Sequence, residues 1–174
     1  MKKAETKLGW GVIGACGIAR RRTIPEGIVP SVNGRLVAVM DVAKDAVAEI
    51  GTEFGARVYL KEADLLADPE VEAVYIATPA HYHYRQAIAA ITAGKHILIE
   101  KPMALTIEEC RKILAAARRR KVRVGVDFMM RFHAHHQKIR AMVAAGDLGK
   151  PVMGRAQLSC WYPPIPGAWR QNPR

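Results

Sequence analysis

Long apolar runs are absent from this chain, and no stretch of it is long enough to span a bilayer. The segment Met1-Lys2-Lys3-Ala4-Glu5-Thr6-Lys7 carries positive charge but lacks the apolar core of a signal peptide. Cysteine is scarce. Cys16, Cys110 and Cys160 lie far apart, show no C-x-x-C spacing and cannot all pair with one another, so a reducing, cytoplasmic setting is expected. Acidic residues are also short: 16 Asp and Glu stand against 27 Lys and Arg, a formal charge of +11. That balance suits an anionic ligand or nucleic acid without proving either. Aromatic residues make up 6% and do not alternate with the basic runs Arg20-Arg21-Arg22 and Arg118-Arg119-Arg120-Lys121, as a single-strand nucleic-acid surface requires. The second run ends an amphipathic helix, where cations complement the helix dipole without needing a partner. Neither nucleic acid nor membrane is expected as a partner. No cysteine pair or acidic ligand accompanies His81 and His83, or the cluster His133, His135 and His136, so no metal site is expected.

What is present is ample apolar content: 50% of 174 residues, enough to bury one substantial core and part of a second. Strand-like and helix-like segments alternate. Leu8 to Ile13, Leu36 to Met40, Arg57 to Tyr59, Val71 to Ala77, Ile97 to Ile99 and Val122 to Val126 read as strands. Helices are expected over Arg20 to Ile28, with Pro25 its doubtful point, and over Ala43 to Phe54, His83 to Ala93, Thr106 to Arg120 and Ala134 to Ala145. Thr106 and Glu109 form a capping box. Strict alternation implies an α/β fold with a doubly wound parallel sheet. After Gly146-Asp147-Leu148-Gly149-Lys150-Pro151 the rhythm breaks: Val152 to Trp161 reads as one long strand with no following partner. Residues 1–127 are expected to form one domain. Residues 128–174 would be a linker helix and the first strand of a truncated second domain, with that strand left hanging or paired with another copy.

Chemistry is expected where strands end, because open α/β sheets bind ligands at their carboxyl edge. The run Ile97-Leu98-Ile99 stops at Glu100-Lys101-Pro102, and Pro102 keeps Lys101 on extended backbone. A lysine held there, between a buried strand and a separately capped helix, is a candidate for chemistry. Strand Leu8 to Ile13 runs into Gly14-Ala15-Cys16-Gly17-Ile18-Ala19, where Gly14 permits a tight turn and free N–H groups at a helix start face a pyrophosphate. Cys16 stands where the dinucleotide fingerprint usually has its second glycine, and Ala19 where it has its third. Asp41 ends the second strand about 24 residues past Gly17, near the separation at which an acid accepts hydrogen bonds from the adenosine ribose. Its alternative role is to cap the helix that follows. A carboxylate here repels a 2′-phosphate, which favours NAD over NADP, although Arg20 to Arg22 and Lys44 leave NADP open.

These motifs, with Ala77-Thr78-Pro79 and His83, Gly94-Lys95-His96, Arg131-Phe132 and Gly146-Asp147-Leu148-Gly149, resemble the glucose-fructose oxidoreductase and inositol dehydrogenase family (Gfo/Idh/MocA) over roughly residues 8 to 155. The resemblance implies a Rossmann domain followed by an α/β domain carrying the substrate site and the oligomer interface. It implies hydride transfer between NAD or NADP and a carbinol carbon of a sugar, polyol or related compound. It places Lys101 beside the nicotinamide and the substrate hydroxyl, before a bond to Pro102 that is often cis in relatives. Glu100 would orient that lysine or hold the nicotinamide ribose. Thr78, Pro79 and His83 would line the cofactor groove, Arg131 would lie near the nicotinamide end, and Trp169 with Arg170 would close over the cofactor. Relatives continue into a glycine-rich segment and then an Asp and a His that complete the acid/base machinery, and the chain is expected to stop before them. On that expectation it is the cofactor-binding part of an oxidoreductase, completed by a carboxy-terminal domain or by a homo-oligomer. The alternative is an inactive or split dinucleotide-binding module that needs a partner chain.

Overall fold

Six short apolar segments, β1 (Leu8–Ile13), β2 (Gly34–Met40), β3 (Arg57–Tyr59), β4 (Ala73–Ile76), β5 (His96–Ile99) and β6 (Val124–Val126), pair as one parallel sheet in the order β3-β2-β1-β4-β5-β6. The computed structural model describes residues 7–159, 161, 163 and 164. Chain order reverses between β1 and β4, so the connections leaving these two strands part to opposite sides, which opens a crevice at the carboxyl edge.

Side-chain alternation feeds two cores. Ile13, Val74 and Ile76 point to one face, with Ile97 and Ile99, and pack beneath α3 (His83–Thr92) and α4 (Ile107–Arg120). Val12, Val39 and Tyr75 point to the other, beneath the helical segment Ala15–Ile28 and α1 (Lys44–Phe54). Covering both faces explains why all four residues of β4 are buried. The Thr106 capping box starts α4: Glu109 N–H donates to Thr106 Oγ1 at 3.1 Å and Thr106 N–H donates to Glu109 Oε2 at 3.2 Å.

Two local expectations change. The first helical segment, Ala15–Ile28, is broken by non-helical backbone at Gly17 (φ −93°, ψ −123°), so its unbroken part begins after Gly17 rather than at Arg20, and it is wound widely, with Val29 N–H donating to Ile24 C=O at 3.0 Å, five residues back. Pro25, which has no N–H to donate, lies exposed within it. A short helix, α2 (Glu62–Ala67), was not expected; it buries only Leu65 and Leu66, too little apolar periodicity to stand out.

The chain divides into two compact units, the first ending at Asp127 and the second beginning at Phe128. In the second, a turn over Met129–Phe132 leads to α5 (Ala134–Ala145), whose start is capped by His133 Nδ1 accepting from His135 N–H at 3.3 Å. The long strand expected from Val152 to Trp161 does not form. Residues 151–159 carry no regular structure, and Val152, Met153 and Leu158 are 95%, 88% and 88% exposed. A strand is made by its hydrogen-bonded neighbour, and no described segment pairs with this one. Alternating apolar residues alone do not supply that neighbour.

Candidate cofactor and active site

Strand register aligns the expected site residues. Ile13 lies opposite Met40 and Ile76, Ile76 opposite Ile99, and Ile99 opposite Val126. The next residue of each strand, namely Gly14, Asp41, Ala77, Glu100 and Asp127, therefore stands in one row just past the sheet. Backbone bonds extend the ladder to this row: Gly14 N–H donates to Met40 C=O, Ala77 N–H to Ile13 C=O and Glu100 N–H to Ile76 C=O, each at 2.9 Å, and Asp127 N–H to Ile99 C=O at 2.8 Å.

Gly14 sits at the crevice with φ 86° and ψ 51°. A Cβ there would lie 2.8 Å from Thr78 Cγ2 and the Thr78 backbone nitrogen, so both conformation and space demand glycine. At Gly17 the space is open: it is exposed, and a Cβ would meet nothing within 4 Å. The first turn of a helix leaves N–H groups without intrahelical acceptors. One of them is already used, because Cys16 N–H donates to Asp41 Oδ2 at 2.9 Å. Asp41 Oδ1 accepts from Ala43 N–H at 3.2 Å. Asp41 thus braces the glycine-rich turn and the residue just before α1; it is not the helix cap weighed for it, since α1 follows Ala43 with no side-chain cap, and it stays half-exposed at the crevice. Burial first, then the Asp41 carboxylate, push the Cys16 thiol up to about 11, so it is uncharged at neutral pH. Ile18 is half-buried, and Ala19 is fully buried in the core beneath the helix, where its small side chain allows close helix–sheet packing. An open approach at Gly17, the remaining free N–H groups and a carboxylate at the end of β2 fit a dinucleotide's pyrophosphate and adenosine ribose.

At the neighbouring strand end, Thr78 Oγ1 donates to Oε1 of the buried Gln86, and Pro79 is half-buried before the turn Ala80–Tyr82. His83 is only 1% exposed, with Nδ1 2.7 Å from Pro102 O and Nε2 2.8 Å from Thr78 O. Its ring nitrogens face these carbonyls, not the groove.

Glu100 is tied from below. Thr23 Oγ1 donates to the Tyr75 hydroxyl at 3.1 Å, and that hydroxyl donates to Glu100 Oε1 at 2.8 Å. Burial, with the Glu100 carboxylate adding to it and the Thr23 hydroxyl opposing, holds the Tyr75 phenol well above its usual range. Lys101 is exposed, its N–H donates to Glu100 Oε2 at 3.2 Å, and its bond to Pro102 is cis. Burial, then the Glu100 charge, raise the Asp127 carboxyl. Arg131 belongs to the second unit: its N–H donates to Phe128 C=O at 2.9 Å, its carbonyl accepts from Gln137, and its side chain is exposed. Trp169 and Arg170 lie outside the described residues. Among the described residues no group of three or more His, Cys, Asp and Glu is arranged to hold a metal ion.

Tyr75, Thr23, Gln86 and Asp127 escaped the sequence reading. Only Asp127 had a signal there: it ends its strand as Asp41 ends β2.

The chain is 37% identical over 162 residues to a 1,5-anhydro-D-fructose reductase of Ensifer adhaerens, covering 92% of this chain and 48% of the relative. It is 34% identical over 147 residues to inositol 2-dehydrogenase 3 of Saccharopolyspora erythraea, covering 84% of this chain and 42% of the relative. Among solved structures it is similar to KijD10, a 3-ketoreductase from Actinomadura kijaniata in complex with NADP, with a TM-score of 0.77 and 29% identity over 83% of this chain and 46% of that one. The chain thus spans about half the length of the curated relatives it matches. Residues 8–128 match the model of the oxidoreductase family with an NAD-binding Rossmann fold, and on that match the chain belongs to this family, Gfo/Idh/MocA.

Proposed function

We propose that this chain is the cofactor-binding part of an NAD-dependent oxidoreductase acting on a carbinol carbon of a sugar or polyol, with Lys101 as its catalytic residue. The observation that carries the proposal is the row past the sheet, where the glycine turn, the Asp41 carboxylate and the Glu100-Lys101 pair share one carboxyl edge. Asp41 and the turn hold the adenosine end. Asp41 favours NAD over NADP, because its carboxylate repels a 2′-phosphate while the nearby Arg20 guanidinium is taken by Glu49 and Glu53. Thr78 and Pro79 flank the crevice from β4, and Glu100 takes the nicotinamide ribose or steadies Lys101. When bound, the nicotinamide accepts or supplies the hydride. Lys101 holds a proton at the substrate oxygen and stabilises charge that develops there. Relatives named as an anhydrofructose reductase and an inositol dehydrogenase support the substrate class. Cys16 and Cys110 are both free thiols, which fits the cytoplasm.

The test is reduction of NAD by the chain joined to the carboxy-terminal half of a relative, with a panel of inositols, aldoses and anhydrohexitols, beside Lys101→Ala. Turnover that falls about a hundredfold or more in the variant, with unchanged NADH binding, is the expected result. Equal turnover in the variant refutes the role of Lys101. NADH binding without turnover on any member would favour the dinucleotide-binding module that works with a partner chain, a reading supported by the half-length match to the relatives.

A further inference from the structure

We infer that His83 is a positioning residue that fixes the backbone around Lys101, an inference that rests on the role proposed for that lysine. His83 opens α3 and is one of three buried polar or charged residues among those described, with Asp68 and Gln86. Its two ring nitrogens reach two different connections. Nε2 lies 2.8 Å from Thr78 O, in the connection leaving β4, and Nδ1 lies 2.7 Å from Pro102 O, in the connection leaving β5. Both connections begin on the row that forms the site.

The Pro102 contact matters because, apart from Met103 and Ala104 packing against the core, its segment has few hydrogen bonds. Glu100 N–H still belongs to the sheet ladder, and Leu105 N–H is already bonded to Glu109 at the start of α4. Between them, over residues 101–104, the hydrogen bonds are Lys101 N–H to Glu100 Oε2 and the His83 ring to Pro102 O. The first comes from the preceding residue. Among the described residues only the second is a hydrogen bond from this stretch to another element, and Pro102 has no N–H with which to add one. Carbonyl oxygens only accept, so the ring must donate: a neutral imidazole serves one carbonyl at a time, and the doubly protonated ring serves both.

Two conservative substitutions separate the contacts. The Asn side-chain amide lies where Nδ1 lies and can keep the Pro102 bond, while the longer Gln places its amide near Nε2 and can keep the Thr78 bond. His83→Phe removes both and retains a ring. Amide hydrogen exchange of the full chain is the readout, with Val12 and Val74 in the sheet as internal references. In His83→Phe, exchange at Lys101 and Leu105, the hydrogen-bonded amides on either side of the Pro102 contact, should rise about tenfold while the references hold, the scale of one lost hydrogen bond. His83→Asn should restore protection of these two residues and His83→Gln should not. If Asn and Gln behave alike, if Lys101 and Leu105 exchange as in the parent, or if the whole sheet loosens in step, His83 is a packing residue and the inference fails. Should His83→Phe not fold, the Asn–Gln pair still decides. NADH titration of the parent chain judges the cofactor reading separately: absent binding with the Asn–Gln split intact would refute that reading and leave the tie standing.

Discussion

Gly14 and Gly17 lie three residues apart in one turn, yet their substitution should fail in different ways. Gly14→Ala places a Cβ at φ 86°, 2.8 Å from Thr78 Cγ2 and the Thr78 nitrogen and 2.9 Å from the Ala77 carbonyl carbon. The left-handed conformation costs a non-glycine residue about 1–2 kcal/mol. Forcing a methyl against backbone that belongs to the sheet edge adds about 1–3 kcal/mol. Together they remove about 2–5 kcal/mol from a total on the order of 5–15 kcal/mol. At about 2–4 °C per kcal/mol for a chain of this size, the melting temperature falls by roughly 5–15 °C. Gly17→Ala meets no atom within 4 Å and should cost under about 1 kcal/mol. Its methyl would instead occupy the space through which a pyrophosphate reaches the helix start, and NADH affinity should drop about tenfold or more. Urea unfolding followed by circular dichroism, beside NADH titration of each variant, measures both. A Gly14→Ala protein as stable as the parent would refute the steric argument. A Gly17→Ala protein with full NADH affinity would refute the placement of the phosphate.

Asp127 gives a pH-dependent test: burial and the Glu100 charge raise its carboxyl above the unfolded value, so its stabilising contribution is present below the ordinary carboxylate range and lost as pH rises through the folded value. Asp127→Asn should raise the melting temperature at pH 7 and bring no gain near pH 3, as thermal melts at the two pH values would show. The Cys16 thiol, held up to about 11, should react with iodoacetamide more slowly at pH 8 than an ordinary thiol, and Asp41→Asn should speed that reaction by removing a charge that raises it.

The strands were legible because most are short apolar runs closed by a polar or glycine residue, as at Gly14, Asp41, Glu100 and Asp127, and their alternation with helices left few topologies to choose from. The Thr106 capping box was legible for the same reason: its two side chains act over three residues of sequence. What could not be read depended on partners far along the chain. Val152 to Leu158 has a strand's pattern but no described neighbour, and pattern alone does not make a strand. His83 has both ring nitrogens turned to carbonyls, one of them 19 residues away, so its burial had no mark in its own surroundings. Asp41 held the opposite lesson. Two uses were weighed for it, ribose acceptor and helix cap; it caps no helix, but its carboxylate accepts from Ala43 N–H just before α1 and from Cys16 N–H across the turn, with the site still open beside it. Tyr75 lies inside an apolar strand and reads as core, which it is; its hydroxyl reaches Glu100 only because Tyr75 and Leu98 are opposite in register.

The central claim is that the row past the sheet is a dinucleotide site read by Asp41. Calorimetric titration of the chain with NADH and with NADPH, repeated on Asp41→Ala, tests it most directly. The account predicts that NADH binds more tightly than NADPH, and that the substitution weakens NADH about tenfold while narrowing the gap between the two. Binding of neither dinucleotide, or NADH affinity untouched by the loss of Asp41, would contradict it.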